Sequence, residues 1–472
     1  MTGLTFSEKV LGAKSGTDAR AGDIVVGEPD LILGTDGSTP MAIDYYEAMG
    51  GGAVVAPERV LLARDHYAPP TSPATQAFHS RMEEFAAAHG IELLAVGGGI
   101  SFLVALETGR VASGHLVIGG DSHTVTCGVA GAFATGVGSS DLAAAFKTGK
   151  VWLRVPDTTR VDLSGVMATG VTTKDVALEL VARLAGVVSP FTALEFVGQG
   201  VRELPPEDRI VLCNMVAEMG GMAGVFPTSE WASDDHAAFA STVSVELGEI
   251  DPPVALPHDP GNRVPIGDAL GREVDWVFLG TCAGGRADDF REALRVLRAA
   301  GGIANGVTVA AAPPTAAVRA VLVDDGTLAA LEGAGVLIAE TGCGPCCGTS
   351  GPLPPPGARV ISTANRNFRA RMGEPSIEIM LGSPATCAAA AAAGPAAVPP
   401  PVGGTDGMAT VVVATVVLRV DPAPVDVVWR AVGSGPMAVF DVVAAGVVGI
   451  VVLLSGLLSA SNHFAAYGSA RA

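Results

Sequence analysis

Aromatic residues make up only 5% of this 472-residue chain, and basic residues are scarce: 29 Lys and Arg stand against 48 Asp and Glu, a formal net charge of -19. A surface for nucleic acid needs clustered Lys and Arg, so that function class is excluded. An anionic metabolite can still bind, through a local arginine cluster or a bound cation. The first sixteen residues, MTGLTFSEKVLGAKSG, lack a basic segment followed by an apolar one, which argues against a secretory signal. The seven cysteines (Cys127, Cys213, Cys282, Cys343, Cys346, Cys347 and Cys387) are odd in number and mostly scattered, which is not the pattern of a disulfide scaffold. The reading is a cytoplasmic protein, in which clustered thiols bind metal or do redox chemistry.

What is abundant is hydrophobic residues (49%) and Gly (61 of them), a mixture suited to a compact α/β protein with many turns. Residues 114–120 (GHLVIGG) read as a buried strand entering a turn. Residues 274–302 read as strand, glycine loop and amphipathic helix. Residues 336–348 and 358–368 repeat the arrangement of strand and polar loop. Alternating strands and helices predict largely parallel sheets covered by helices, with ligands at the carboxyl ends of the strands. The pattern holds over 1–395. A linker rich in Ala, Pro and Gly follows at 396–410, then an apolar tail at 411–472. Within the tail, residues 442–461 carry no charge over twenty positions, long enough to span a bilayer. A buried helix or a strand pair fits that stretch as well, and membrane association is expected only through this tail.

The densest chemistry is TGCGPCCG (341–348). Taken alone, Cys343-x-x-Cys346 fits a thioredoxin-like redox pair, half of a zinc site, or part of an iron–sulfur centre completed by a remote thiol. Cys282, in LGTCAGGR (279–286), ends another predicted strand and can approach that loop.

Six motifs occur in a fixed order: RDHYAPP (64–70), GGDSHTVTCG (119–128), LCNMVAEMGG (212–221), LGTCAGGR, TGCGPCCG and TANRNFRARMG (363–373). Together with TGKVWLRVP (148–156) and LGSPATCAAAAAAG (381–394), the series resembles the large subunit of the aconitase and isopropylmalate dehydratase family over residues 1–395. The resemblance implies three-layer α/β/α domains around one [4Fe-4S] cluster. It carries the cluster ligands over to Cys282, Cys343 and Cys346 and leaves one iron open as a Lewis acid for the substrate. It also implies Asp65, His66, Asp121, His123 and Glu218 as catalytic groups and Ser122, Arg366 and Arg371 as substrate-binding groups. The expected reaction is dehydration and rehydration of a 2-hydroxy di- or tricarboxylic acid such as isopropylmalate, as in leucine biosynthesis. Homoaconitate, aconitate or a secondary-metabolite malate analogue is the alternative. The expected partner is a small subunit carrying the swivelling domain with the catalytic serine, in a heterodimer or heterotetramer.

The sequence also departs from the family pattern. Phe102 in GGISFLVALETG (98–109) stands where the family has a histidine, which predicts that Glu218 loses its usual partner. Gly284 removes an amide near the cluster, and Ala370 replaces a glycine. Cys347 is expected to pack a loop, and His115 lies at the wrong end of its strand to replace the missing histidine. These departures keep a second reading open: a non-catalytic iron–sulfur protein.

Overall fold

The computed structural model describes residues 3–394 and, beyond them, the backbone of 428–432, 438–444 and 447–453. The chain divides into two units at Pro395. In the first, a five-stranded sheet runs in the order Glu92–Leu94, Val60–Ala63, Leu31–Thr35, Leu116–Gly119, Phe133–Gly136, every pair parallel. A four-stranded parallel sheet has the order Ala223–Val225, Thr192–Val197, Asp157–Ser164, Ser241–Glu246. The third sheet has seven strands, in the order Arg263–Pro265, Pro253–Ala255, Glu378–Leu381, Arg359–Ser362, Trp276–Gly280, Thr308–Ala312, Leu337–Ile338. Its first two strands are antiparallel additions to an otherwise parallel set. Helices cover these sheets, as the alternating pattern requires.

Local sequence explains the elements. Leu31–Thr35 and Trp276–Gly280 are buried at every position, as central strands of parallel sheets are. The helix Ala287–Ala299 buries Phe290, Ala293, Leu294 and Leu297, the i, i+3, i+4, i+7 face of a 3.6-residue period. Burying each leucine there contributes roughly 1.5–3 kcal/mol. Asp289 closes its first turn by accepting from the Arg286 amide at 3.0 Å.

Strand order places the site. The five-stranded sheet reverses direction of winding between Leu31–Thr35 and Leu116–Gly119; Asp36 follows the first strand and Asp121 the second. The seven-stranded sheet reverses between Trp276–Gly280 and Arg359–Ser362; Cys282 follows one and Asn365 the other. Ligands of open parallel sheets sit at such reversals, outside the carboxyl ends.

In the second unit, Val428–Val432, Ala438–Ala444 and Val447–Leu453 form an antiparallel sheet. The described part of 442–461 is therefore strand, and the rest of that stretch and the 396–410 linker lie outside the described residues. Among the described residues no helix is long and apolar enough to cross a membrane.

Candidate active site

The loop after Val60–Ala63 presents Asp65 and His66. His66 Nδ1 lies 2.8 Å from Asp65 Oδ1, and His66 Nε2 lies 3.5 Å from Asp121 Oδ2. The imidazole thus sits between two carboxylates. Burial alone would push its proton off, but Asp65 above all, with Cys347 and Asp121 behind it, outweighs burial and holds it protonated well above the usual histidine range. Asp65 is fully buried, and burial pushes its carboxyl up to about 6 against the pull of His66. Its second oxygen accepts from the Ser101 amide at 3.0 Å. A further carboxylate, Asp36, accepts from the backbone amides of His66 (2.9 Å) and Tyr67 (3.0 Å) and lies 2.8 Å from His79 Nε2. Asp36 fixes the main chain that carries His66.

The second group follows Leu116–Gly119. Asp121 accepts from the His123 amide at 2.8 Å and lies 3.3 Å from its Nδ1. Despite burial, the hydrogen bond and charge of His123 hold Asp121 well below the usual carboxylate range. His123 Nε2 faces both the Asn365 Nδ2 donor at 2.8 Å and the Glu218 carboxylate at 3.1 Å. With Nε2 unprotonated the ring accepts from Asn365; with a proton on Nε2 it donates to Glu218. One proton therefore selects between the two partners. Burial opposes the charged ring, and Glu218 and Asp121 raise its proton affinity above the ordinary value.

Glu218 is not left alone by Phe102. It bonds His123 and accepts from Arg366 Nε at 2.6 Å, while Arg366 Nη2 donates to Ser122 at 2.9 Å. Those two partners keep its carboxyl below the usual range in spite of burial. Phe102 lies fully buried in an apolar cluster that contains Cys127, Cys282 and Cys343. The ring fills space in that cluster. His115 is remote: its Nδ1 accepts from the Ala112 amide.

On the other side stand the thiols. Cys282, Cys343 and Cys346 are all buried. Asn365 joins two of them: its Nδ2 lies 3.4 Å from the Cys282 sulfur, and its Oδ1 lies 3.8 Å from that of Cys346. Asn365 also bonds Asn214 at 3.1 Å. Arg371 Nη2 reaches the Cys346 sulfur at 3.5 Å. Burial pushes the Cys282 thiol up to about 12. Cys346 is buried too, but the Arg371 guanidinium brings its thiol below the ordinary value. Cys347 bonds within its own loop, to the Gly344 carbonyl and Thr349, as a packing residue does.

The two sides are stitched together at the main chain. Cys343 N donates to the Asp65 carbonyl at 2.7 Å, and Thr349 Oγ1 donates to the His66 carbonyl. Gly342 makes this approach possible: its φ is +141°, and a Cβ there would lie 2.6 Å from the Asp65 carbonyl oxygen. Beside Ser122 and Arg366 opens a cavity of about 500 Å³, with Val125, Val137, Ala217 and Met222 on its walls.

Sequence reasoning does not single out Asn365, Asn214 or Asp36. Asn365 and Asn214 lie inside motifs notable for their neighbours. Asp36 follows the buried run LILGT, and its place at the carboxyl end of a strand is the available signal.

Histidine–carboxylate pairs and buried thiols thus gather at the carboxyl ends of two parallel sheets of an α/β protein, at their winding reversals. Residues 8–232 and 228–394 match the family model described as Aconitase family (aconitate hydratase). The 3-isopropylmalate dehydratase large subunit 1 of Methanopyrus kandleri is 38% identical over 404 residues, covering 82% of this chain and 96% of that protein. The homoaconitase large subunit of Thermus thermophilus is 38% identical over 402 residues, covering 82% of this chain and 95% of that one. A probable 3-isopropylmalate dehydratase large subunit of Methanothermobacter thermautotrophicus is 36% identical over 404 residues, with 82% and 96% coverage. The chain belongs to the aconitase family, and its activity is that of a hydro-lyase.

Proposed function

We propose that this chain is the large subunit of a dehydratase that isomerises an isopropylmalate-like acid, holding a [4Fe-4S] cluster on Cys282, Cys343 and Cys346. The donor set fits such a group. Three thiols are buried, one asparagine spans the Cys282 and Cys346 sulfurs, an arginine faces one sulfur, and Arg371 Nε and Glu218 Oε2 are buried without partners among the described residues. A cubane held by thiolates has that ligand type. When bound, the cluster supplies a Lewis-acidic iron that polarises the substrate's hydroxyl and carboxylate.

The remaining chemistry belongs to the chain. His66, held protonated by Asp65 and Asp121, donates a proton to the departing hydroxyl oxygen. His123 orients that hydroxyl while its Nε2 proton is controlled by Glu218 and Asn365. Arg366 and Ser122 take a carboxylate at the mouth of the cavity. The base for the α-proton, a serine, comes from a small partner subunit, in keeping with relatives named as large subunits. A cytoplasmic setting accords with the free thiols.

The cavity carries the choice of substrate. Among the described residues Arg366 is the one cation on its lining, and Val125, Val137, Ala217 and Met222 present an apolar wall. A third carboxylate would meet that wall unpaired, whereas an alkyl branch is buried favourably. This favours an alkyl-substituted malate over a tricarboxylate. Catalysis is favoured over a non-catalytic iron–sulfur role because Glu218 keeps two partners without a histidine at 102. The test is anaerobic reconstitution of the chain with the small subunit of the same organism, followed by alkene absorbance. Turnover of isopropylmalate exceeding that of homoaconitate, and none without the small subunit, is expected. Robust turnover by the chain alone overturns the partner claim, and preference for the tricarboxylate overturns the substrate.

A further inference from the structure

Lys174 is a buried charged residue that none of this chemistry uses. It lies in the first turn of the helix Thr173–Leu184 and is only 1% exposed. Its ammonium donates to the Ala364 carbonyl at 2.8 Å and approaches the Met215 sulfur at 3.6 Å. Among the described residues no carboxylate oxygen lies within ion-pair distance of it, although such pairs occur at Lys9 and Arg366 and elsewhere in the fold. A buried cation with one carbonyl and one thioether for partners is costly unless negative charge lies nearby. Burial pulls its proton affinity down; Glu218, Cys282, Cys387 and Cys346 are the groups that pull it back.

The carbonyl it holds is informative. Ala364 immediately precedes Asn365, whose amide spans the Cys282 and Cys346 sulfurs, and Arg366, which bonds Glu218 and Ser122. Met215 follows Asn214, itself bonded to Asn365. A single ammonium therefore anchors the segment that touches both thiols and the substrate end.

We propose that Lys174 is a positioning residue for the thiol centre: its buried ammonium is the countercharge to the metal-bound thiolates and holds the Ala364 carbonyl so that Asn365 and Arg366 keep their aim. The inference rests on the reading of Cys282, Cys343 and Cys346 as cluster ligands. A countercharge matters to the loaded centre and is a burden to the unloaded chain. The two states therefore respond oppositely to its removal.

The test compares the parent chain with Lys174→Met, which keeps length but loses charge, and Lys174→Gln, which keeps a donor for Ala364. All are reconstituted anaerobically and challenged with a chelator while iron content and visible absorbance are followed. The thermal midpoint of the cluster-free chain is measured in parallel. Lys174→Met should release iron about ten-fold faster than the parent or more, the size seen when groups supporting metal ligands are lost. Its cluster-free midpoint should be equal to or above the parent's. Lys174→Gln should release iron faster than the parent and more slowly than Lys174→Met. Parental iron release in both variants overturns the proposal. So does failure of both cluster-free variants to fold, which would make Lys174 a plain structural residue. A parent chain that takes up no iron and sulfide fails differently: it overturns the cluster reading itself, and this inference with it.

Discussion

The five-stranded and seven-stranded sheets each deliver one side of the site, and the two sides are finished differently. On the carboxylate side, Asp36, Asp65, Asp121, His66 and His79 answer one another within hydrogen-bonding or ion-pair reach. On the thiol side, Thr281 Oγ1, Thr341 Oγ1 and Arg371 Nε are buried without partners among the described residues, and the backbone adopts a left-handed conformation at two non-glycine residues, Thr281 (φ 62°) and Ala370 (φ 63°). Such strain persists only where the surroundings over-determine it, and it collects at functional sites. The carboxylates and histidines of the first side bond chiefly to one another, whereas the second side leaves polar atoms open around the thiols, as the proposed cluster would require.

If the sides are separable in this way, their variants should part company. Cys346→Ser should lose iron and sulfide on reconstitution and depress turnover by more than about 10³-fold, the scale of several kcal/mol of lost Lewis-acid stabilisation. His66→Asn should keep the full iron complement while kcat falls by about 10²–10⁴-fold, the usual contribution of a positioned acid. Iron analysis alongside turnover reads both, and a His66→Asn chain that takes up no iron would break the comparison.

A smaller effect sharpens the carboxylate side. The proton on His66 is held there chiefly by Asp65, against burial. An acid that must be protonated works below its own pKa, so the alkaline limb of the kcat profile follows His66. Removing an anion beside a cation lowers that pKa. Asp65→Asn should therefore move the alkaline limb to lower pH, and on that limb kcat should fall by about ten-fold for every pH unit the limb moves. An unmoved limb would mean that Asp65 only positions the ring.

Much of this arrangement is legible in the sequence, for a physical reason. Parallel strands buried on both faces read as apolar runs, and the residue just past such a run is aimed at the ligand; Asp65, Asp121 and Cys282 are all legible in that way. Asp36 obeys the same rule and escapes notice because it carries no recognisable motif. The consequence of Phe102 cannot be read. A missing histidine suggests an isolated Glu218, but its partners come from Arg366 and His123, 148 and 95 residues away in the chain. Lys174 is equally hidden, since a lysine in a first helical turn gives no hint of burial by a loop 190 residues further on.

The smallest prediction concerns the strain on the thiol side. Ala370 is exposed, and its φ of 63° is a conformation that glycine adopts freely and an L-residue adopts at a cost of roughly 1–2 kcal/mol. Glycine would relieve that cost in the folded chain but widen the freedom of the unfolded one, by roughly 0.4–1 kcal/mol. The net gain for Ala370→Gly is therefore between about 0 and about 1.6 kcal/mol, read as a higher denaturant midpoint with an unchanged slope. The segment 363–373 carries Asn365, Arg366 and Arg371, so relief at Ala370 also tests whether the strain serves their aim. If Ala370→Gly raises stability and leaves kcat and iron retention as they were, the strain is local. If stability rises while iron retention falls, the left-handed alanine belongs to the same tension that distinguishes the thiol side from the carboxylate side.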